Sequence, residues 1–284
     1  MPPDENTAPK TIIDRIEGDL KRMEQAQDSL QHRLKELKQS VRDLEGKIPG
    51  GCTATEAIYL DRREVMISVS GSVLRFVEIR PSAPVTIGLD EARASELFRE
   101  AQAQSSEPLM PWLLRSVPAV RREVPFFLLQ DRLVEPRLYE LLVNGAVANE
   151  VSYEDARQFI GTLNRLCDGV AQFDLPSEEE LVAVAKLVYD PARNGLIPCT
   201  ALAHRGKTIQ VDQLLGHSWQ LTRSACKPLS KRATEPCPGG SFVRKGGTSK
   251  SENALECIPE YRSAARPTVR QKDTSFRLVL RHLP

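Results

Sequence analysis

The chain has 284 residues, 40% of them hydrophobic and 27% charged, and its 39 Lys and Arg nearly balance 38 Asp and Glu to leave a net charge of +1. Such proportions belong to an ordinary soluble protein of one or two domains, and the near-neutral total supplies no global attraction to nucleic acid or to an anionic membrane. No apolar run approaches the roughly 20 residues of a membrane helix, and residues 1–10 lack the basic-then-apolar order of a secretory signal, so a cytoplasmic protein with no membrane partner is expected.

Residues 1–10 read as a flexible N-terminus. From Ile13 the apolar residues alternate spacings of three and four: Ile13, Ile16, Leu20, Met23, then Leu30, Leu34, Leu37, Val41, Leu44 and Ile48, with Gln27 as the polar member of the seam. The pattern predicts a coiled-coil helix over 11–48, about five heptads and about 54 Å long at roughly 1.5 Å per residue. A stripe this narrow cannot be buried on all sides. Residues 13–48 are therefore expected to pair with a partner's helix or another copy, through Leu20, Leu30, Leu34, Leu37, Val41 and Leu44; the alternative is a helix folded back on its own domain. A parallel, in-register homodimer would oppose Asp19 to Glu24 and Arg33 to Lys38, so an antiparallel pair, a higher oligomer and a heteromer stay open. Pro49, Gly50 and Gly51 end the helix, which makes 49–54 a linker and 55–284 a second domain.

That domain opens with two alternating runs, Glu64–Ser70 and Val73–Ile79, around Gly71, which predicts a hairpin. Helical patterns follow at about 90–104, 135–145, 152–167 and 177–189. The last two carry start signals, Ser152 three residues before Asp155 and Ser177 three before Glu180. From about 195 onward turn-formers dominate, giving a loop-rich α+β domain. Its six cysteines, Cys52, Cys167, Cys199, Cys226, Cys237 and Cys257, are too sparse for a disulfide scaffold and none forms a zinc-type pair, so reduced thiols are expected. With only four histidines, no metal site is expected.

The order of short motifs in 73–284 resembles the formylglycine-generating enzymes, or sulfatase-modifying factors. Val124-Pro-Phe-Phe-Leu-Leu-Gln-Asp131 through Tyr139 is similar to their V-x-x-F-x-I-D-x-x-E-V-T-x-x-x-Y. Glu150-Val-Ser-Tyr-Glu-Asp-Ala-Arg-Gln-Phe159 and Asp174-Leu-Pro-Ser-Glu-Glu-Glu-Leu181 match P-V-S-W-E-D-A-x-x-F and R-L-P-T-E-A-E-W. Gly216-His-Ser-Trp-Gln-Leu-Thr222 stands for G-N-V-W-E-W-T; Gly239-Gly240-Ser241, Tyr261-Arg262-Ser-Ala-Ala-Arg266 and Ser275-Phe276-Arg277 stand for the G-G-S, Y-R-x-A-x-R and G-F-R signatures. The resemblance implies a C-type lectin-like fold of the formylglycine-generating type after the coiled-coil helix. It also suggests a buried central strand at Phe276–Leu280 and a tight approach of chain at the glycines before Ser241.

Oxidising members of that family use two cysteines near the G-G-S and Y-R motifs, and paired thiolates suit cuprous copper. Here Arg244 stands at the first position and Cys257 approximates the second, so Cys257 is a weak catalytic candidate and a buried structural thiol is the plainer reading. The family's calcium site uses an Asn and a Glu that are His217 and Gln220 here, and the His-x-x-x-His-x-Glu iron motif of the sulfoxide-synthase branch has no counterpart. Neither copper nor calcium is expected. The domain therefore reads as a degenerate member. Between Lys227 and Arg281 there are 12 Lys and Arg against five acids, which offers an anionic ligand or peptide a surface containing Arg244, Lys245, Lys250, Arg262 and Arg270, although internal pairing of Arg262, Arg266 and Arg277 is the plainer use of those charges. The expected function is a non-enzymatic recognition or adaptor protein assembled by its coiled coil; the alternatives are a cysteine-dependent oxidase and a ligand sensor in a bacterial conflict or signalling system.

Overall fold

The computed structural model describes residues 20–23, 25, 27, 29, 52–59, 62–102, 116–143, 150–187, 189, 202–205, 210–229, 239–251 and 254–282, in a chain that divides into two compact units, Met1–Gly50 and Gly51–Pro284. In the first unit the described residues are helical, and the seam residues Leu20 and Met23 are 54% and 70% exposed. Leu30, Leu34, Leu37, Val41 and Leu44 lie outside the described residues.

The second unit runs β1 (Thr53–Tyr59), β2 (Arg62–Val69), β3 (Ser72–Ile79), β4 (Val85–Ile87), α1 (Glu91–Gln102), β5 (Val120–Arg122), β6 (Phe127–Gln130), α2 (Pro136–Leu142), β7 (Glu150–Val151), α3 (Tyr153–Leu166), β8 (Gln172–Asp174), α4 (Glu178–Ala185), β9 (Leu202–Arg205), β10 (Gln210–Leu215), β11 (Trp219–Ala225), β12 (Phe242–Lys245), a 3₁₀ turn (Ala254–Cys257), β13 (Ser263–Ala265), β14 (Gln271–Lys272), β15 (Thr274–Ser275) and β16 (Val279–His282). It is mixed α+β and mostly strand. One six-stranded sheet has the order β1-β2-β3-β6-β16-β8 and another β13-β12-β11-β15-β7-β14; β9 with β10 and β4 with β5 form small ribbons.

The expected hairpin is β2–β3, turned by Ser70 and Gly71, whose φ values of 49° and 75° are the two left-handed positions that a two-residue hairpin turn of type I′ requires. The central strand expected at Phe276–Leu280 is β16, shifted to Val279–His282; it lies between β6 and β8 and pairs antiparallel with both, while residues 276–278 are buried but not in a strand. Its sheet is covered on both faces. Phe76, Leu128 and Leu280 pack into one core with Tyr139 and Phe159, while Val77, Leu129 and Val279 pack into a second with Val182 and Val184 of α4. This is why Phe127-Leu-Leu reads as an unbroken apolar run rather than an alternating one.

The four expected helices are present with shorter spans. Both start signals are full capping boxes: the Asp155 and Glu180 amides donate to Ser152 Oγ and Ser177 Oγ at 3.1 and 3.2 Å, and the Ser152 and Ser177 amides donate back to Asp155 Oδ2 and Glu180 Oε2.

Three expectations are corrected. The linker is shorter than 49–54, because β1 begins at Thr53. The thiols are not all reduced: Cys52 and Cys167 form a disulfide with Cα atoms 4.9 Å apart across 115 residues of sequence, and Cys257 is disulfide-bonded as well, whereas Cys226 is a buried thiol outside any disulfide. Sequence spacing hides such pairs because the contact is made only when β1 meets the end of α3. Closing so long a loop restricts the unfolded chain by about 4–5 kcal/mol in the chain-entropy picture, and bonds of this kind persist in oxidising surroundings. Finally, Gly239 and Gly240 have open space around the position of a Cβ; the close approach is at Gly247, where a Cβ would fall 2.5 Å from Cys257 Sγ. Among the described residues no helix is long and apolar enough to cross a membrane.

Removing one capping hydroxyl should show whether α4 is a stable platform. Ser177→Ala is expected to cost about 1 kcal/mol in urea unfolding, without altering the far-ultraviolet spectrum of the folded state.

Candidate functional site

Strand β12 organises the basic C-terminal region, because successive side chains of a strand leave on opposite faces. Phe242 and Arg244 fall on one side, Val243 and Lys245 on the other. Phe242 stacks on Tyr153 with centroids 3.5 Å apart, which fixes that face of the strand against the start of α3.

Lys245 points inward and is 4% exposed; Arg262, near the start of β13, is 2% exposed, and both meet Glu178, the first residue of α4. Arg262 binds the carboxylate with two parallel hydrogen bonds, Nε to Oε1 at 2.8 Å and Nη2 to Oε2 at 2.9 Å, and donates a third to the Lys227 carbonyl. Lys245 Nζ is 3.4 Å from Glu178 Oε1. Burial alone would raise the Glu178 carboxyl, but Lys245 and Arg262 prevail and hold it below its ordinary value. For Lys245 the balance goes the other way: burial prevails over Glu178 and pushes the ammonium below the usual lysine range. The expectation that Lys245 and Arg262 offer their charges to a ligand is thus corrected. They are enclosed, and the carboxylate that consumes them comes from a helix more than 60 residues earlier in the chain.

Arg244 is arranged differently. Its guanidinium lies 4.4 Å over the centroid of Trp219, the first residue of β11. Nε donates to Ser263 Oγ at 2.9 Å, and Nη1 donates to Gln271 Oε1 and, at 3.4 Å, to Thr274 Oγ1. Ser263 is its direct partner in the β12–β13 ladder, so strand register sets that bond. Tyr261 packs 5.8 Å from Trp219 on the same patch. Burial pushes the Arg244 pKa down, opposed by Tyr261 and Glu256, and none of its hydrogen bonds goes to a carboxylate.

The remaining two expected residues are exposed and paired. Lys250 donates to Asp273 at 2.8 Å, and Arg270 grips Asp155 with Nε at 2.9 Å and Nη2 at 3.0 Å. Burial would raise the Asp155 carboxyl, but Arg270 and Ser152 hold it lower.

The positions discussed for metals have other employment. Gln220 Nε2 donates to the carbonyls of Gln213 and Leu214, and Gln220 Oε1 accepts from Arg277 Nε at 2.7 Å; His217 is exposed beside Gln213. Among the described residues no group of three His, Cys, Asp or Glu is placed to hold a metal ion. Cys257 is half-buried in the 3₁₀ turn and disulfide-bonded; Cys237 lies outside the described residues.

Sequence reasoning missed Glu178, one of three consecutive glutamates, and the roles of Trp219, Ser263 and Gln271. Only the Trp in Gly216–Thr222 gave any signal, as part of a motif rather than as a platform for a cation.

The buried triad makes a contrast that can be measured. Glu178→Gln strands two enclosed cations and is expected to cost about 3–5 kcal/mol in urea unfolding, whereas Lys245→Met removes a cation that burial already disfavours and is expected to lie within about 1 kcal/mol of the parent or above it. The depressed Glu178 pKa contributes stability that is complete above the ordinary carboxyl value of 4.5 and is lost as pH falls through the folded value, so acid melts of the parent should show that loss.

No protein-family model matches the chain, and no curated protein does. Among solved structures, Treponema denticola variable protein 1 is similar over 77% of this chain and 99% of its own, with a TM-score of 0.52 at 15% identity. PvdO from Pseudomonas aeruginosa is similar over 74% of this chain and 95% of its own, with a TM-score of 0.49 at 11% identity. The likeness to the Treponema protein is one of fold.

Proposed function

We propose that the chain is a non-catalytic recognition or adaptor protein, in which a degenerate formylglycine-generating-enzyme-type domain of C-type lectin-like fold binds a partner or ligand through its C-terminal face. The helix over 13–48 assembles copies of the chain or joins it to a partner, and repeated sites on one assembly raise avidity. The observation that carries the reading is Arg244. The position where the family resemblance places a reactive thiol holds instead a guanidinium stacked on Trp219 and braced by Ser263 and Gln271, a fixed donor suited to recognition rather than a nucleophile or a soft metal ligand. The exposure of Leu20 and Met23 supports the assembly role.

Light scattering tests the assembly half. Residues 1–284 should associate and the fragment 52–284 should not, while Leu30→Asp with Leu37→Asp should reduce the full chain to monomers, since an unpaired charge in a seam costs several kcal/mol. A monomeric full-length parent would remove the oligomer from the reading.

One observation favours a second reading, a cysteine-dependent oxidase: Cys257 is disulfide-bonded, so a sulfur pair does exist there. Protein reduced, loaded with copper and incubated with a sulfatase-type cysteine peptide is expected to yield no formylglycine by mass spectrometry. Product that disappears in Cys257→Ser would reverse the assignment.

A further inference from the structure

Arg244 differs from every other buried or half-buried guanidinium of this face in what remains unspent. Arg262 is neutralised by the Glu178 carboxylate. Arg277, fully buried, has its donors taken by Gln220 Oε1 and the carbonyls of Gln130, Asp212 and Gln213. Arg270 is held by Asp155. In Arg244, which is half-buried, Nε and Nη1 are taken by neutral oxygens, while among the described residues Nη2, with two N–H donors, has no hydrogen-bond partner. Lys250 and Asp273 are already closed on each other. The Arg244 guanidinium is thus hydrogen-bonded to no carboxylate at a partly desolvated place, with Glu256 acting on it only through space, and the partner that a guanidinium's open donors take best is an anion.

The surroundings narrow the anion. Trp219, buried beneath the guanidinium, backs the site, and the half-buried Tyr261 beside it gives the ligand that reaches Nη2 some apolar surface. A single open Nη group matches a monoanion; a phosphate dianion seeks further cations, and the exposed Lys250 and Arg270 are committed to Asp273 and Asp155. The brace also fixes the donor before binding, because Ser263, Gln271 and the Trp219 ring hold the planar group in place and little rotamer freedom remains to be lost.

We infer that Arg244 is the receptor for one carboxylate, that of an Asp or Glu side chain carried on a peptide or protein partner, with the half-buried Tyr261 contacting the apolar residue beside it. This rests on the recognition reading above and specifies the ligand of that same face.

Short random peptides displayed on phage and selected on the full-length protein supply the probe, with titration calorimetry on the synthesised winners. The expected result is an acidic residue whose amide replacement, Glu→Gln or Asp→Asn in the peptide, weakens binding to the parent by at least about tenfold, an effect that vanishes against Arg244→Gln. The peptide-side substitution is read on the parent and so stays decisive if Arg244→Gln proves unstable in a thermal melt; acetate in excess should then compete and inorganic phosphate should do so no better. Winners that lack an acid, or whose acid matters equally with and without Arg244, overturn this inference and leave the recognition reading standing. Stronger competition by phosphate than by acetate overturns it in favour of a phosphate ligand. Failure to select any peptide overturns it too, and the assembly experiment then judges the wider reading alone.

Discussion

Arg277 is fully buried with no carboxylate bonded to it, and a guanidinium so placed must find neutral acceptors for its donors. It finds them on three segments: the side chain of Gln220 in β11, the carbonyl of Gln130 at the end of β6, and the carbonyls of Asp212 and Gln213 in β10. Gln220 in turn donates to Gln213 and Leu214. Burial pushes the Arg277 pKa down to about 9, still charged near neutrality. The two six-stranded sheets are thereby tied together two residues before β16. β16 is an interior strand of the first sheet, and Arg277 fastens it to the second.

The face that carries the functional argument hangs from this frame. Once β11 is placed by Gln220, the β11–β12 ladder sets Leu221 opposite Arg244 and Gln220 opposite Lys245, and the β12–β13 ladder sets Arg244 opposite Ser263. Two adjacent cations are thus divided between opposite surfaces of one strand. Lys245 enters a buried cluster with Glu178 and Arg262, where its charge is an expense of packing, and Arg244 emerges over Trp219, where its charge is available. A shift of one residue in that register would exchange them.

Local features of the fold were legible because they are local. Ser152 with Asp155 and Ser177 with Glu180 announce helix starts through bonds that span three residues. The Ser70-Gly71 turn and the apolar run of β6 are equally self-contained, and the ordered motifs placed Phe276–Leu280 centrally. The basic residues of the C-terminal region were legible only as a total. Their count of 12 against five acids says nothing of partners that lie far off in sequence, such as Glu178 for Arg262 or Asp155 for Arg270. The Cys52–Cys167 bond escaped for the same reason, and so did the crowding at Gly247, which depends on where the 3₁₀ turn brings Cys257.

The sequence by itself determined the N-terminal heptad pattern, the helix caps, the hairpin and an arginine at position 244, since each is written in residue type and short-range spacing. Only the tertiary structure decided which of the neighbouring cations meets a carboxylate and which meets neutral oxygens and a tryptophan ring. Neutralising a charge, closing a disulfide or bracing a guanidinium requires groups from distant segments to meet, and burial then fixes the energetic sign of each meeting.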